Sequence, residues 1–231
     1  MTWTSPPLEA DWDAAVAALT SGDKVLLLAH VSPDADALGS ALAVGLALEA
    51  RGVDVVVSYG DDPFVLPRVL RSLPGQHLLV APDSITAHPV VVSFDVSAIE
   101  RLGVLRSAAE SADCFIAVDH HASYTGFAPV SLVDVTAPAT AVLALDLVDR
   151  LGVELTVDIA TAVYSGLVTD TGSFKYAGTT PGTHEVAARL MRTGMRHDVV
   201  ARHIYDDEPF AALRLLGAAL DRSVLEESAV G

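Results

Sequence analysis

Three short apolar runs in this sequence all end in the same way. Val25-Leu26-Leu27-Leu28-Ala29 leads into His30, Asp34 and Asp36. Val90-Val91-Val92-Ser93-Phe94 leads into Asp95. Cys114-Phe115-Ile116-Ala117-Val118 leads into Asp119-His120-His121. Aliphatic and β-branched residues in unbroken rows of this length suit strands covered on both faces, which is the habit of a parallel sheet. All strand ends of one sense then lie along a single edge of the sheet, where α/β proteins bind their ligands. The polar residues after each run are therefore expected to meet in space although they are far apart in sequence.

The intervening segments fit that arrangement. A helix is expected from Leu8 to Leu19, and an Ala- and Leu-rich helix from Ala37 to Arg51 with Gly39 and Ser40 in its first turn and Gly52 as its stop. Val53 to Ser58 reads as a further strand, and Asp61 to Gly75, with three prolines, as loop and short helix. Ser97 can cap a helix from Ala98 to Ser111, and Val130 to Asp134 reads as an additional strand. Helices are expected over Pro138–Arg150, Asp158–Thr169, Pro181–Thr193, Arg196–Tyr205 and Pro209–Leu225. Strands alternating with helices give an α/β fold: a doubly wound, mainly parallel sheet flanked by helices, with a helical C-terminal connector. The domain division is residues 1–195 for the catalytic domain and 196–231 for the connector.

Composition narrows the partners. Thirty Asp and Glu against 14 Lys and Arg give a formal net charge of -16. Binding long nucleic acid requires many Lys and Arg to neutralise phosphates, so that partner class is disfavoured, whereas a short anion beside bound cations is compatible. No apolar run approaches a membrane span, and no basic leader precedes the first helix. The single cysteine, Cys114, excludes an internal disulfide framework and is compatible with a reducing cytoplasm; in its strand it reads as an inert buried thiol.

Taken alone, the His30–Ser40 loop has two readings: a divalent-cation site, or a helix cap from Asp34 or Asp36 beside an ordinary buried histidine. The other two strand ends weigh against the second. Several carboxylates gathered at one edge repel unless cations separate them. Asp170, in a Gly-containing turn after a helix, supplies one more.

Four motifs then carry a resemblance. His30-Val-Ser-Pro33-Asp34-Ala-Asp36-Ala-Leu-Gly39-Ser40, Asp95-Val-Ser97, Asp119-His120-His121-Ala122-Ser123 and Thr169-Asp170-Thr171-Gly172-Ser173-Phe174-Lys175-Tyr176 together resemble the DHH phosphoesterases, in particular the bacterial oligoribonuclease and 3'-phosphoadenosine-5'-phosphate (pAp) phosphatase branch. The resemblance implies a cytoplasmic, homodimeric hydrolase of short RNA, linear dinucleotides and pAp with two manganese ions; Mg²⁺ and Co²⁺ suit the same donors. It places His30, Asp34 and Asp95 on one ion and Asp36, Asp95, His120 and Asp170 on the other, with Asp95 bridging. Two-metal activation of a water would make a Ser or Lys nucleophile unnecessary. Asp119 would orient a neighbouring ligand, and His121 would face the substrate phosphate, so His121, Asp95 and Asp119 form the catalytic set. Substrate contacts are expected from His121, from N–H groups near Gly39 and Ser40, and from Lys175, with Tyr176 beside it; Ser40 and Ser123 serve as hydrogen-bonding or capping groups.

Two departures accompany the match. Position 124 is Tyr where the branch has Asn after Asp-His-His-x-Ser. The chain is also expected to stop before the family's smaller, glycine- and histidine-rich substrate-binding domain, and to be weakly active for that reason. Rival readings are a manganese inorganic pyrophosphatase, a RecJ-like exonuclease disfavoured by the acidic charge, and a nucleotide-sensing module without turnover.

Overall fold

A computed structural model describes residues 9–22 and 24–224. The expected helix start at Leu8, the final residue of the expected last helix, Leu225, and the end of the 196–231 connector lie outside them. Five strands, β1 (Lys24–Ala29), β2 (Asp54–Tyr59), β3 (Val90–Phe94), β4 (Cys114–Asp119) and β5 (Val130–Val133), form one sheet in the order β2-β1-β3-β4-β5. Every pairing is parallel, with Ala29 opposite Phe94 and Phe94 opposite Val118. The register aligns the ends of β1, β3 and β4, so His30, Asp95 and Asp119 emerge side by side.

One face of the sheet carries α1 (Glu9–Ser21), α2 (Ala35–Ala50), α4 (Thr140–Arg150), α5 (Val157–Asp170) and α6 (Pro181–Met191) over the larger apolar core. The other face is covered by residues 99–105, α3 (Arg106–Glu110) and the loop carrying Tyr124 and Phe127, around Leu26, Leu28, Val91 and Phe115. Alternate residues of β1 enter the two cores, as the period of a strand requires. The helix α2 is buried along almost its whole length, which explains its unbroken Ala/Leu composition rather than a polar stripe.

Two expectations about helices need correction. The segment 98–111 is not one helix capped by Ser97. Ala98 precedes a 3₁₀ stretch, Gly103 turns to φ 55°, and only Arg106–Glu110 is α-helical. The cause is a backbone crossing: a Cβ on Gly60 would lie 1.9 Å from the Leu102 carbonyl oxygen, and one on Gly103 would lie 2.5 Å from the Gly60 oxygen. Two glycines let the chain pass against the end of β2, and a continuous helix cannot do so. Similarly, the 196–205 segment divides into α7 (His197–Ala201) and a π-helical turn over Arg202–Asp206. The last helix, α8 (Phe210–Asp221), exposes Phe210, Leu213, Leu215 and Leu216 to solvent. No described helix is long and apolar enough to cross a membrane.

Candidate metal centre

The loop after β1 does two things at once. Asp34 is the N-cap of α2: its Oδ1 accepts from the N–H groups of Asp36 (3.0 Å) and Ala37 (2.9 Å). Its Oδ2 points the other way, 3.6 Å from His30 Nε2. The cap role occupies Oδ1 and leaves Oδ2 facing His30, so capping is compatible with the ligand reading of this carboxylate. The cap also moves the helix start to Ala35, which puts Gly39 and Ser40 in the second turn.

His30 Nε2 also lies 3.6 Å from Asp95 Oδ2, while its Nδ1 faces the Val31 carbonyl at 2.8 Å. His120 repeats the pattern. Its Nδ1 lies 3.1 Å from the Ala137 carbonyl, and its Nε2 lies 3.2 Å from Asp170 Oδ2, 3.6 Å from Asp95 Oδ1 and 4.0 Å from Asp36 Oδ2. A carbonyl at Nδ1 fixes the tautomer that leaves the Nε2 lone pair free for a cation. Three donor groups result, each compact enough to hold one ion: His30–Asp34–Asp95, Asp36–His120–Asp170 and Asp95–His120–His121. Asp95 belongs to two of them. It adopts φ 61°, a left-handed conformation that Asp tolerates better than most residues and that here turns the side chain into the cluster.

The cluster concentrates carboxylates in a buried setting that disfavours their charge. Burial raises the Asp36 carboxyl well above the usual range, and Asp95 and Asp170 add to that. Asp170 is also raised by burial, with His120 opposing. Burial alone would lower His30, but Asp34 and Asp95 outweigh it and push the imidazole up to about 9. Below that pH and without an ion, the ring holds a proton where a cation would sit, so metal and proton compete for Nε2 and the competition eases as pH rises.

Asp119 is fully buried. Its Oδ1 accepts from His120 N (2.8 Å), His121 N (3.2 Å) and His121 Nδ1 (2.8 Å). That carboxylate raises the His121 imidazole pKa and leaves Nε2 as the free nitrogen of a ring that is 44% exposed. Tyr124 fills the Asn position of the related branch with a different part. Its ring is buried, and its hydroxyl meets Ser131 Oγ at 3.0 Å and accepts from Ala128 N.

Two expected contact residues are not at the open edge. Gly39 and Ser40 are buried; the Gly39 Cα faces the Ala162 carbonyl of α5, and the Ser40 hydroxyl has no hydrogen-bond partner among the described residues. Their N–H groups lie past the first helical turn, inside the α2 ladder, so none of them is free for phosphate. Lys175 and Ser123 are exposed. Asp170, expected in a turn, is the last residue of α5.

The sequence reading missed Thr140. At the start of α4, its N–H donates to Asp36 Oδ2 (2.7 Å), the next N–H, of Ala141, donates to Asp36 Oδ1 (2.8 Å), and its hydroxyl donates to Asp95 Oδ1 (2.8 Å). One buried residue thus positions two candidate ligands. Thr140→Val should weaken metal binding by about tenfold or more, with Thr140→Ser restoring it, because supporting contacts of this kind are typically worth ~10–100-fold; titration calorimetry with Mn²⁺ would show it. Only the Pro138-x-Thr140 start of a helix hinted at this position.

The decisive comparison is with protein families. The DHH family, N-terminal domain, matches residues 24–167. This chain belongs to the DHH family. It is 35% identical over 197 residues to the bifunctional oligoribonuclease and PAP phosphatase NrnA of Thermus thermophilus, covering 85% of this chain and 58% of that protein. The chain therefore spans somewhat more than half the length of this relative. Among solved structures, an exopolyphosphatase-related protein from Bacteroides fragilis superposes with a TM-score of 0.86 at 24% identity, over 96% of this chain and 68% of that one. A putative family II inorganic pyrophosphatase from Methanococcus jannaschii gives a TM-score of 0.54 at 22% identity, over 78% of this chain and 60% of that one. These two likenesses concern the DHH fold.

Proposed function

We propose that this chain is the catalytic part of a metal-dependent phosphoesterase acting on short RNA oligonucleotides, linear dinucleotides and pAp. The observation that carries the reading is the set of donor groups sharing Asp95 and His120 on the sheet edge. Hard carboxylates mixed with imidazoles suit Mn²⁺. His30, Asp34 and Asp95 would hold one ion, and Asp36, Asp95, His120 and Asp170 the second. Such a pair supplies an activated water and charge stabilisation for displacement at phosphorus. The chain's own residues do the remainder. Asp119 holds His121 protonated at Nδ1, and Nε2 then presents a proton to a phosphoryl or leaving oxygen. Thr140 and the Ala141 N–H keep Asp36 and Asp95 facing the cluster. Lys175 is the exposed cation nearest in sequence to Asp170 and meets a substrate phosphate. The likeness to a T. thermophilus protein named as a bifunctional oligoribonuclease and PAP phosphatase supports nucleotides, rather than pyrophosphate, as the substrate class of this chain.

The same reading makes residues 196–231 a connector to a substrate-binding domain, as the solvent-facing leucines of α8 suggest. It also makes the protein a cytoplasmic homodimer. Turnover of pAp, a 5'-phosphorylated dinucleotide and pyrophosphate, measured with Mn²⁺ and after EDTA, tests the activity. Mn²⁺-dependent cleavage of the first two is expected. Pyrophosphate as the sole good substrate would overturn the nucleotide assignment, and binding without turnover would point to a sensor.

A further inference from the structure

Immediately after Asp170 the chain makes an unusual turn. Gly172, Ser173 and Phe174 are successive left-handed residues, with φ of 56°, 60° and 64°. Two of these are not glycine, and each such residue is disfavoured unless its surroundings hold it. Here the surroundings do. The Thr171 hydroxyl accepts from the Phe174 N–H, the Thr171 carbonyl accepts from the N–H groups of both Lys175 and Tyr176, and Phe174 is clamped between Tyr164 and His184, its ring stacked on His184 at 5.0 Å. The outcome of this strained turn is the placement of one side chain. The Tyr176 ring lies over Gly172 so closely that a Cβ there would sit 2.5 Å from Cζ and 2.7 Å from both Cε atoms. The opposite side is open: Tyr176 is 62% exposed, among the most exposed aromatic residues described.

The ring is thus seated on backbone on one side and open to solvent on the other, six residues from a candidate ligand. Its geometry matches what a stacking platform needs, a rigid ring with a free π-face. We infer that Tyr176 is a base-stacking platform, held flat on Gly172, that takes a nucleobase of the substrate while Lys175 meets an adjoining phosphate. Stacking suits a protein of net charge -16, because it recognises a nucleotide without adding cations. The inference rests on the nucleotide substrate class proposed above and adds the contact that distinguishes a nucleotide from a bare phosphate ester.

The test uses a 5'-phosphorylated dinucleotide carrying 2-aminopurine, whose emission falls when it stacks, and the abasic analogue of the same dinucleotide, both with Mn²⁺. Wild type and Tyr176→Phe should quench the probe on binding, and Tyr176→Ala should not. Tyr176→Ala should also bind the dinucleotide roughly tenfold more weakly, within the usual worth of one base–aromatic stack, and bind the abasic analogue as wild type does. Equal loss on both ligands, or a full quench in Tyr176→Ala, would overturn the platform. Quenching that depends on Tyr176 without cleavage by the wild type would instead retain the platform and reject the phosphoesterase reading.

Discussion

Asp95→Asn is expected to abolish hydrolysis and to remove bound metal from both positions. Supporting contacts around a metal are typically worth about 10–100-fold. Asp95 is more than that: it contributes to two of the three donor groups, with Oδ2 toward His30 and Oδ1 toward His120. The loss should therefore exceed about a hundredfold in kcat/KM. Asn is the informative substitution because its side chain tolerates the left-handed backbone that residue 95 adopts, whereas Ala would add strain at φ 61°. Unchanged thermal unfolding of the metal-free variant, together with lost Mn²⁺ binding by elemental analysis, would assign the effect to coordination. A variant that keeps one ion and near-normal turnover would show that Asp95 does not bridge.

Gly166→Ala should destabilise the protein by about 2 kcal/mol, despite the better helix propensity of Ala. Gly166 lies where α5 meets α2 and α4. A Cβ there would stand 2.7 Å from Asp36 Oδ1, 2.9 Å from Asp36 Cα and 2.9 Å from Ala141 Cβ. The carboxylate that must move is the one held by the first N–H groups of α4, so packing and site are the same contact. Overpacking typically costs 1–3 kcal/mol or more, against up to ~1 kcal/mol recovered from the helix. For a chain of this size a net 2 kcal/mol lowers Tm by roughly 4–8 °C. Mn²⁺ affinity should fall in parallel. A variant with unchanged Tm and metal binding would mean that the α2–α5 approach has slack the structure does not show.

Most of the candidate site was legible because each strand announces its own end. His30, Asp34, Asp36, Asp95 and the Asp119-His120-His121 run all follow apolar runs, and parallel pairing leaves no arrangement in which those ends point apart. Asp170 was legible only through its motif, since the end of a helix carries no comparable address. Position 124 shows the opposite case: a change within a motif that concerns packing, where a tyrosine ring fills the second core and bonds Ser131.

The errors share one physical source. Gly39 reads as a first-turn residue whose N–H meets phosphate; in the structure it is a packing glycine in the second turn, with its Cα facing the Ala162 carbonyl. Residues 98–111 have helical composition, yet the crossing of Gly60 and Gly103 breaks them. Thr140 has no local signal at all, because its importance lies in touching Asp36 and Asp95, respectively 104 and 45 residues away in sequence. Local chemistry and periodicity suffice to state the strands, most of the helices and which candidate donors the strands deliver to the sheet edge. Which oxygen of Asp34 caps and which faces His30, which residue holds the carboxylates apart, and which glycines allow the helices to approach depend on non-local distances. Only the tertiary structure decides those.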